Sequence, residues 1–140
     1  MFKKLSVLVL CALCLTICWW INGKPIFNNV KGVKLFEIYQ RSNSSSAQIQ
    51  LVDALEYKLA TNKYGEACVV EKQGFNVQDF FNQVNANVVF VEKSAYGTSY
   101  YGFSNKIKYS KKIYGKKINI HVFVGESQVK IASPMIFGSY

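Results

Sequence analysis

The stretch Lys106-Ile-Lys-Tyr-Ser-Lys-Lys-Ile-Tyr-Gly-Lys-Lys-Ile-Asn-Ile-His-Val-Phe-Val124 carries six lysines, two tyrosines and the chain's one histidine in nineteen residues. Much of it alternates apolar with polar side chains, the two-residue period of a half-buried strand. Gly115-Lys116 offers a two-residue turn with glycine first, the type II′ arrangement. That turn sets Ile113 opposite Ile118, Lys111 opposite Ile120, Tyr109 opposite Val122 and Ile107 opposite Val124. The other side receives Tyr114 with Lys117, Lys112 with Asn119, Ser110 with His121, and Lys108 with Phe123. One side is almost wholly apolar and the other almost wholly polar, and a slip of one residue would invert the pattern. Residues 106–114 and 117–124 are therefore expected to form a hairpin whose lysines face water. Lys111 breaks the pattern.

An apolar sheet face needs a partner, and residues 76–86 supply one. Asn76 is a good N-cap, and Asp79 stands where a carboxylate helps the first turn. Val77, Phe80, Phe81 and Val84 fall at i, i+3, i+4 and i+7 and form one stripe. Burying each should contribute about 1.5–3 kcal/mol. Around this helix, strands are expected at 34–40, 67–71, 99–104 and 128–137, with a polar loop at 41–46. Residues 87–93 are apolar on both faces and read as a central strand. Residues 47–59 show both periods, so a strand giving way to a helical turn is expected. Pro134 lacks an N–H, which marks the last strand as an edge or a bulge. Such an edge could take up a strand from a protein partner, or Met135, Ile136 and Phe137 could close the core.

The chain opens with Met1-Phe-Lys-Lys and then runs seventeen residues, 5–21, without a charge. A basic start before a long apolar run reads as a secretory signal or signal anchor. The run is at the low end of the length a bilayer span needs, and Trp19 and Trp20 suit a membrane boundary. With Lys3 and Lys4 held inside, the body lies outside the cytoplasmic membrane, tethered or secreted after cleavage. Cys11, Cys14 and Cys18 act here as small hydrophobes. Cys68 is then the one cysteine of the exported part, so no internal disulfide is expected.

Of the formal charge of +9, Lys3 and Lys4 account for two. Residues 35–92 carry four basic and seven acidic side chains (−3), and residues 93–130 carry eight basic and one acidic (+7). The positive charge is local. A solvated face that resists edge-to-edge association explains much of it. An anion-binding face made of Lys106, Lys108, Lys112, Lys116 and Lys117 is the functional reading, for anionic lipid head groups or wall polymer. Nucleic acid is disfavoured, because sixteen of the seventeen cations are lysine and arginine is the better phosphate fork.

Catalysis finds little support. One histidine cannot make a two-histidine metal site, and no cofactor motif is present. A small thiol-dependent hydrolase centred on Cys68, with His121 as base, is the alternative, although no local motif supports it.

Three segments, Tyr100-Tyr-Gly-Phe-Ser104, Gly115-Lys-Lys-Ile-Asn-Ile120 and Ala132-Ser-Pro-Met-Ile-Phe-Gly-Ser-Tyr140, resemble the C-terminal part of the YwmB-like proteins of Gram-positive spore formers. The resemblance covers about the second half of the chain. It implies an export signal and a TATA-box-binding-like body, a helix gripped by an antiparallel sheet, and it carries over no catalytic residues. The expected fold is α+β: an antiparallel meander packed on one main amphipathic helix, preceded by an N-terminal hydrophobic signal or anchor helix. The expected parts are a signal or anchor over 1–21, a tether over 22–32 and an extracytoplasmic domain over 33–140. The expected role is a non-catalytic, envelope-associated binding protein with a basic sheet face.

Overall fold

Alternation builds most of the body into strands, and nine strands and three helices are formed among the described residues. The computed structural model describes residues 2–22, 25–41, 47–60 and 63–138. In chain order these are α1 (Phe2–Asn22), β1 (Val33–Gln40), β2 (Gln48–Val52), α2 (Ala54–Leu59), β3 (Gly65–Glu71) and α3 (Val77–Gln83). They are followed by β4 (Asn87–Ser94), β5 (Gly97–Phe103), β6 (Lys111–Ile113), β7 (Lys116–Ile118), β8 (Ile120–Val124) and β9 (Gln128–Ser133). The chain is thus α+β, with one large antiparallel sheet and few helices. Beyond Arg41, the polar loop expected at 41–46 lies outside the described residues.

Seven strands form that sheet in the order β2-β1-β3-β9-β8-β5-β4, and every pairing is antiparallel. Cross-strand partners point to the same side, so the two faces can be read from the register. One row runs Phe36, Cys68, Ile131, Val122, Tyr100. The row behind it runs Glu37, Ala67, Ala132, His121, Tyr101, Phe90.

The first face meets the helices. Tyr57 of α2 and Phe80 and Phe81 of α3 pack with Cys68, Ile120, Val122, Val129 and Ile131. The Asn76 side chain accepts from the Asp79 N–H at 3.0 Å, the expected cap, and the expected stripe is the buried one. Gly102 lies under this helix because a Cβ there would come within 2.2 Å of the Phe81 ring. Residues 47–59 do divide into a strand and a short helix, with Asp53 and Glu56 forming a reciprocal capping box at the start of α2.

Several expectations are overturned. The sheet is not a plain meander, since β3 pairs with β1 and β9 and closes the two halves of the chain on each other. Residues 87–93 do not form a central strand, because β4 is an edge and leaves Val88 and Val91 exposed. The last strand is not an edge and cannot accept a partner strand, because β9 lies between β3 and β8. Pro134 falls one residue beyond β9, so no ladder hydrogen bond is lost. Ile136 and Phe137 instead fold back over the second face, onto Tyr39, Ala67, Phe123 and Ala132. That face is therefore covered where it was expected to be wet. Residues 22–32 are not simply a tether either. Phe27 is completely buried among Tyr57, Phe80 and the sheet, because an aromatic ring gains far more inside the core than in water.

In α1 the side chains from Lys3 to Cys18 are all exposed, so none of them contributes to the core of the body. Among the described residues no helix is long and apolar enough to cross a membrane.

A candidate anion-binding ribbon

The expected hairpin splits at Asn119. Residues 111–118 make a separate two-stranded ribbon, and Ile120–Val124 enters the main sheet between β5 and β9. Observed partners in the ribbon are Lys111 with Ile118, Lys112 with Lys117, and Ile113 with Lys116. The turn is Tyr114-Gly115, with φ of 50° and 75°, so both central residues are left-handed as a type I′ turn requires. The turn sits one residue earlier than expected, and the pairs shift by two, which keeps each side chain on its expected side. Val122 finds Tyr100 and Ile131 in place of Tyr109, since a strand between two neighbours satisfies its N–H and C=O groups on both edges.

Asn119 causes the split. It is fully buried, and its Oδ1 accepts from the Ser104 N–H at 2.8 Å. Its Nδ2 donates to the Ser104 carbonyl at 2.6 Å and to the Ile107 carbonyl at 3.2 Å. These bonds hold residues 104–107 in a turn, and the chain from there to Ser110 joins no strand, so Tyr109 is 52% exposed rather than packed, while Ile107 still reaches the core.

All five lysines of the expected site, Lys106, Lys108, Lys112, Lys116 and Lys117, are exposed. Among the described residues none is paired with a carboxylate. Lys112 and Lys117 are direct cross-strand partners, an arrangement of like charges that costs stability. Lys106 and Lys108 come from the preceding turns, and Lys116 occupies the other face of the ribbon. Three of the ammonium groups rest on rings: Lys108 on Tyr109 at 5.7 Å, Lys116 on Phe90 at 5.5 Å and Lys117 on Phe103 at 5.2 Å. Lys111, the exception to the pattern, leans over Phe137 at 4.7 Å and Tyr64 at 5.6 Å. Ring contacts of this kind hold a cation in place and leave its charge available. Phe90, Phe103 and Phe137 were not legible as supports, because they come from distant strands and the chain end. Of the three, Phe103 alone lies in the aromatic run of residues 100–103.

Behind the ribbon lies a stack of rings. Phe90 and Tyr101 are 4.4 Å apart, Tyr101 and His121 are 4.3 Å apart, and Tyr114 meets Phe90 edge-on at 6.0 Å. His121 is only 1% exposed. Its Nδ1 accepts from the Ile136 N–H at 3.2 Å, which leaves the proton on Nε2, 3.1 Å from Ser99 Oγ. Burial lowers its pKa to about 4. His121 is thus a neutral bracket for the chain end.

Cys68 is fully buried, and burial pushes its thiol pKa well up, with Glu66 and Glu37 adding to the rise. It lies on the helix-covered face and His121 on the opposite one, so the two form no nucleophile–base pair. Two buried carboxylates are held by cations and hydroxyls. Glu37 accepts from Lys130 Nζ at 3.0 Å and from the Tyr39 hydroxyl at 3.1 Å. Glu66 accepts from the Tyr57 hydroxyl at 2.6 Å and from the Ile26 N–H, and lies 2.6 Å from the Lys63 ammonium. At that separation the contact is a charge-assisted one between largely buried partners, and the same ammonium lies over the Tyr57 ring at 4.9 Å. Among the described residues no group of three or more His, Cys, Asp or Glu side chains is placed to hold a metal.

No protein-family model, no curated protein and no solved structure matches this chain.

Proposed function

We propose that this protein is a non-catalytic binding module of the cell envelope. Its body lies outside the cytoplasmic membrane, where α1 either holds it at the lipid or is removed after export. Its ligand is an anionic surface or polymer, lipid head groups or wall polymer, gripped by the ribbon. The observation that carries this reading is the facing pair Lys112 and Lys117, flanked by Lys106, Lys108 and Lys116, with no neutralising carboxylate among the described residues. Two ammonium groups set opposite each other cost stability in the free protein and become favourable when a phosphate or carboxylate lies between them. The likeness of residues 100–104, 115–120 and 132–140 to the YwmB-like proteins accords with an exported body, and we carry that kinship as part of the proposal.

The test measures binding of the full chain to phosphatidylcholine vesicles with and without anionic lipid, to an anionic wall polymer, and to single-stranded DNA, across a salt series. Binding to lipid or wall polymer that falls steeply with salt, and falls about tenfold or more in Lys112→Gln/Lys117→Gln, is the expected result. Equal binding by the variant, or preference for DNA, overturns it. Protease accessibility in intact cells checks the location independently, and a protected body contradicts it.

A further inference from the structure

We infer, on the premise that the ribbon binds anions, that its ligand is a linear wall polymer which runs on past the ribbon, over Lys111, to Arg41.

The register puts both ends of this path at one end of the second sheet face. Tyr39 stands two residues beyond Glu37, and Phe103 two residues beyond Tyr101, in the row Glu37, Ala67, Ala132, His121, Tyr101. Four antiparallel steps separate β1 from β5, so the two strands run in the same direction and both rings mark the same end. Phe137 meets Tyr39 edge-on at 5.1 Å, and the Tyr64 N–H donates to the Tyr39 carbonyl at 2.8 Å. Arg41 is the first residue past β1.

Shared rings join Arg41 to the ribbon. The Arg41 guanidinium lies 5.7 Å from the centre of the Tyr64 ring, and the Lys111 ammonium lies 5.6 Å from that same centre and 4.7 Å from that of Phe137. The two cations therefore stand no more than twice 5.7 Å apart. Lys111 in turn pairs across the ribbon with Ile118, next to Lys117. The row runs Arg41, Lys111, Lys117, Lys116, and the last of these lies over Phe90 of β4. Five strand spacings separate β1 from β4, a width of about 24 Å.

Like charges gathered in a row repel one another until an anion relieves them. Among the described residues no carboxylate is paired with any of the four cations. Of the carboxylates on this face, Glu37 is held by Lys130, and Glu92, opposite Ser99, lies toward the other end of the sheet. The shape of the row selects the occupant. Arg41, Lys116 and Lys117 are exposed, whereas Lys111, between them, is half-buried. A flat bilayer would rest on the outer cations, while a thread with charges repeated along its backbone can follow the row and meet Lys111. Such a ligand gains avidity only when it is long enough to reach both ends at once.

The experiment measures the affinity of the full chain for linear galacturonate oligomers shorter than about 12 Å and longer than about 30 Å, either side of the row's width. The long oligomer is expected to bind about tenfold tighter or more, and Arg41→Gln/Lys111→Gln to remove most of that advantage. Thermal unfolding checks that the variant is folded; if it is not, Arg41→Gln alone, outside every strand, takes its place with an expected loss of about threefold. Equal affinity for both lengths, or a length advantage that survives the substitutions, overturns the path to Arg41. The ribbon reading then still stands if Lys112→Gln/Lys117→Gln weakens binding. Tighter binding to phosphatidylglycerol vesicles than to the long oligomer gives the face to lipid and overturns the inference alone. Tighter binding to single-stranded DNA of the same length, or no binding to any of these anions, overturns both.

Discussion

The ribbon β6–β7 and the strand β8 are continuous in sequence and carry the same alternation, yet they end in opposite environments. In β8 the run Ile120, His121, Val122 and Phe123 is buried on both sides, under the helices in front and the chain end behind. In the ribbon every lysine except Lys111 is exposed, and Tyr114 is 80% exposed. The difference teaches that period fixes which side chains share a face, whereas neighbours decide whether that face is dry. Strand β8 has a strand on each edge; β6 and β7 have only each other. Asn119 marks the boundary.

The strongest way to break the comparison is to remove that boundary. Asn119→Ala leaves the Ser104 N–H, the Ser104 carbonyl and the Ile107 carbonyl without their partner. At about 1–3 kcal/mol for each unsatisfied group, a loss of about 3 kcal/mol or more is expected in denaturant titration. A comparable effect should come from acid acting on β8. The unfolded chain takes up a proton near pH 6.5, but buried His121 resists it until about pH 4. Its contribution is whole above about pH 6.5 and is lost as pH falls toward 4, by about 3 kcal/mol at most. His121→Gln should flatten that part of the stability–pH curve and leave the region above pH 7 unchanged in shape.

How far the sequence anticipates this structure depends on the range of the interaction. The α3 stripe, its Asn76 cap and the strand-to-helix change in 47–59 are set by neighbours three or four residues apart, and all are legible. The order of strands is not, because pairing β3 with β9 joins residues about sixty apart in the chain, and no local pattern encodes such a choice. Phe27 was hidden for a different reason. Glycine, proline and asparagine around it read as a flexible link, and one buried ring gives no period. The five lysines of the expected site were legible as exposed; the rings beneath three of them were not. His121 looked polar and solvent-facing, since alternation cannot foresee that residues 135–137 return to cover it.

A third intervention sharpens the contrast on the packed side. Gly102→Ala should drive a methyl into Phe81 and the Asn87 carbonyl, costing about 1–3 kcal/mol in thermal or chemical unfolding, with ribbon binding intact. The smallest effect is expected on the ribbon itself. Lys112→Gln/Lys117→Gln relieves a like-charge pair, so Tm should stay level or rise by about 2 °C or less while anion binding falls. A large loss of stability would mean that these lysines serve the fold.

Residue-resolved amide hydrogen exchange tests the split at Asn119 most directly. The account predicts that amides of Ile120–Val124 exchange only on global unfolding, whereas those of 111–118 exchange orders of magnitude faster through local opening of the ribbon. Uniform protection from 111 to 124, rising and falling together with denaturant, would show one continuous hairpin and contradict it.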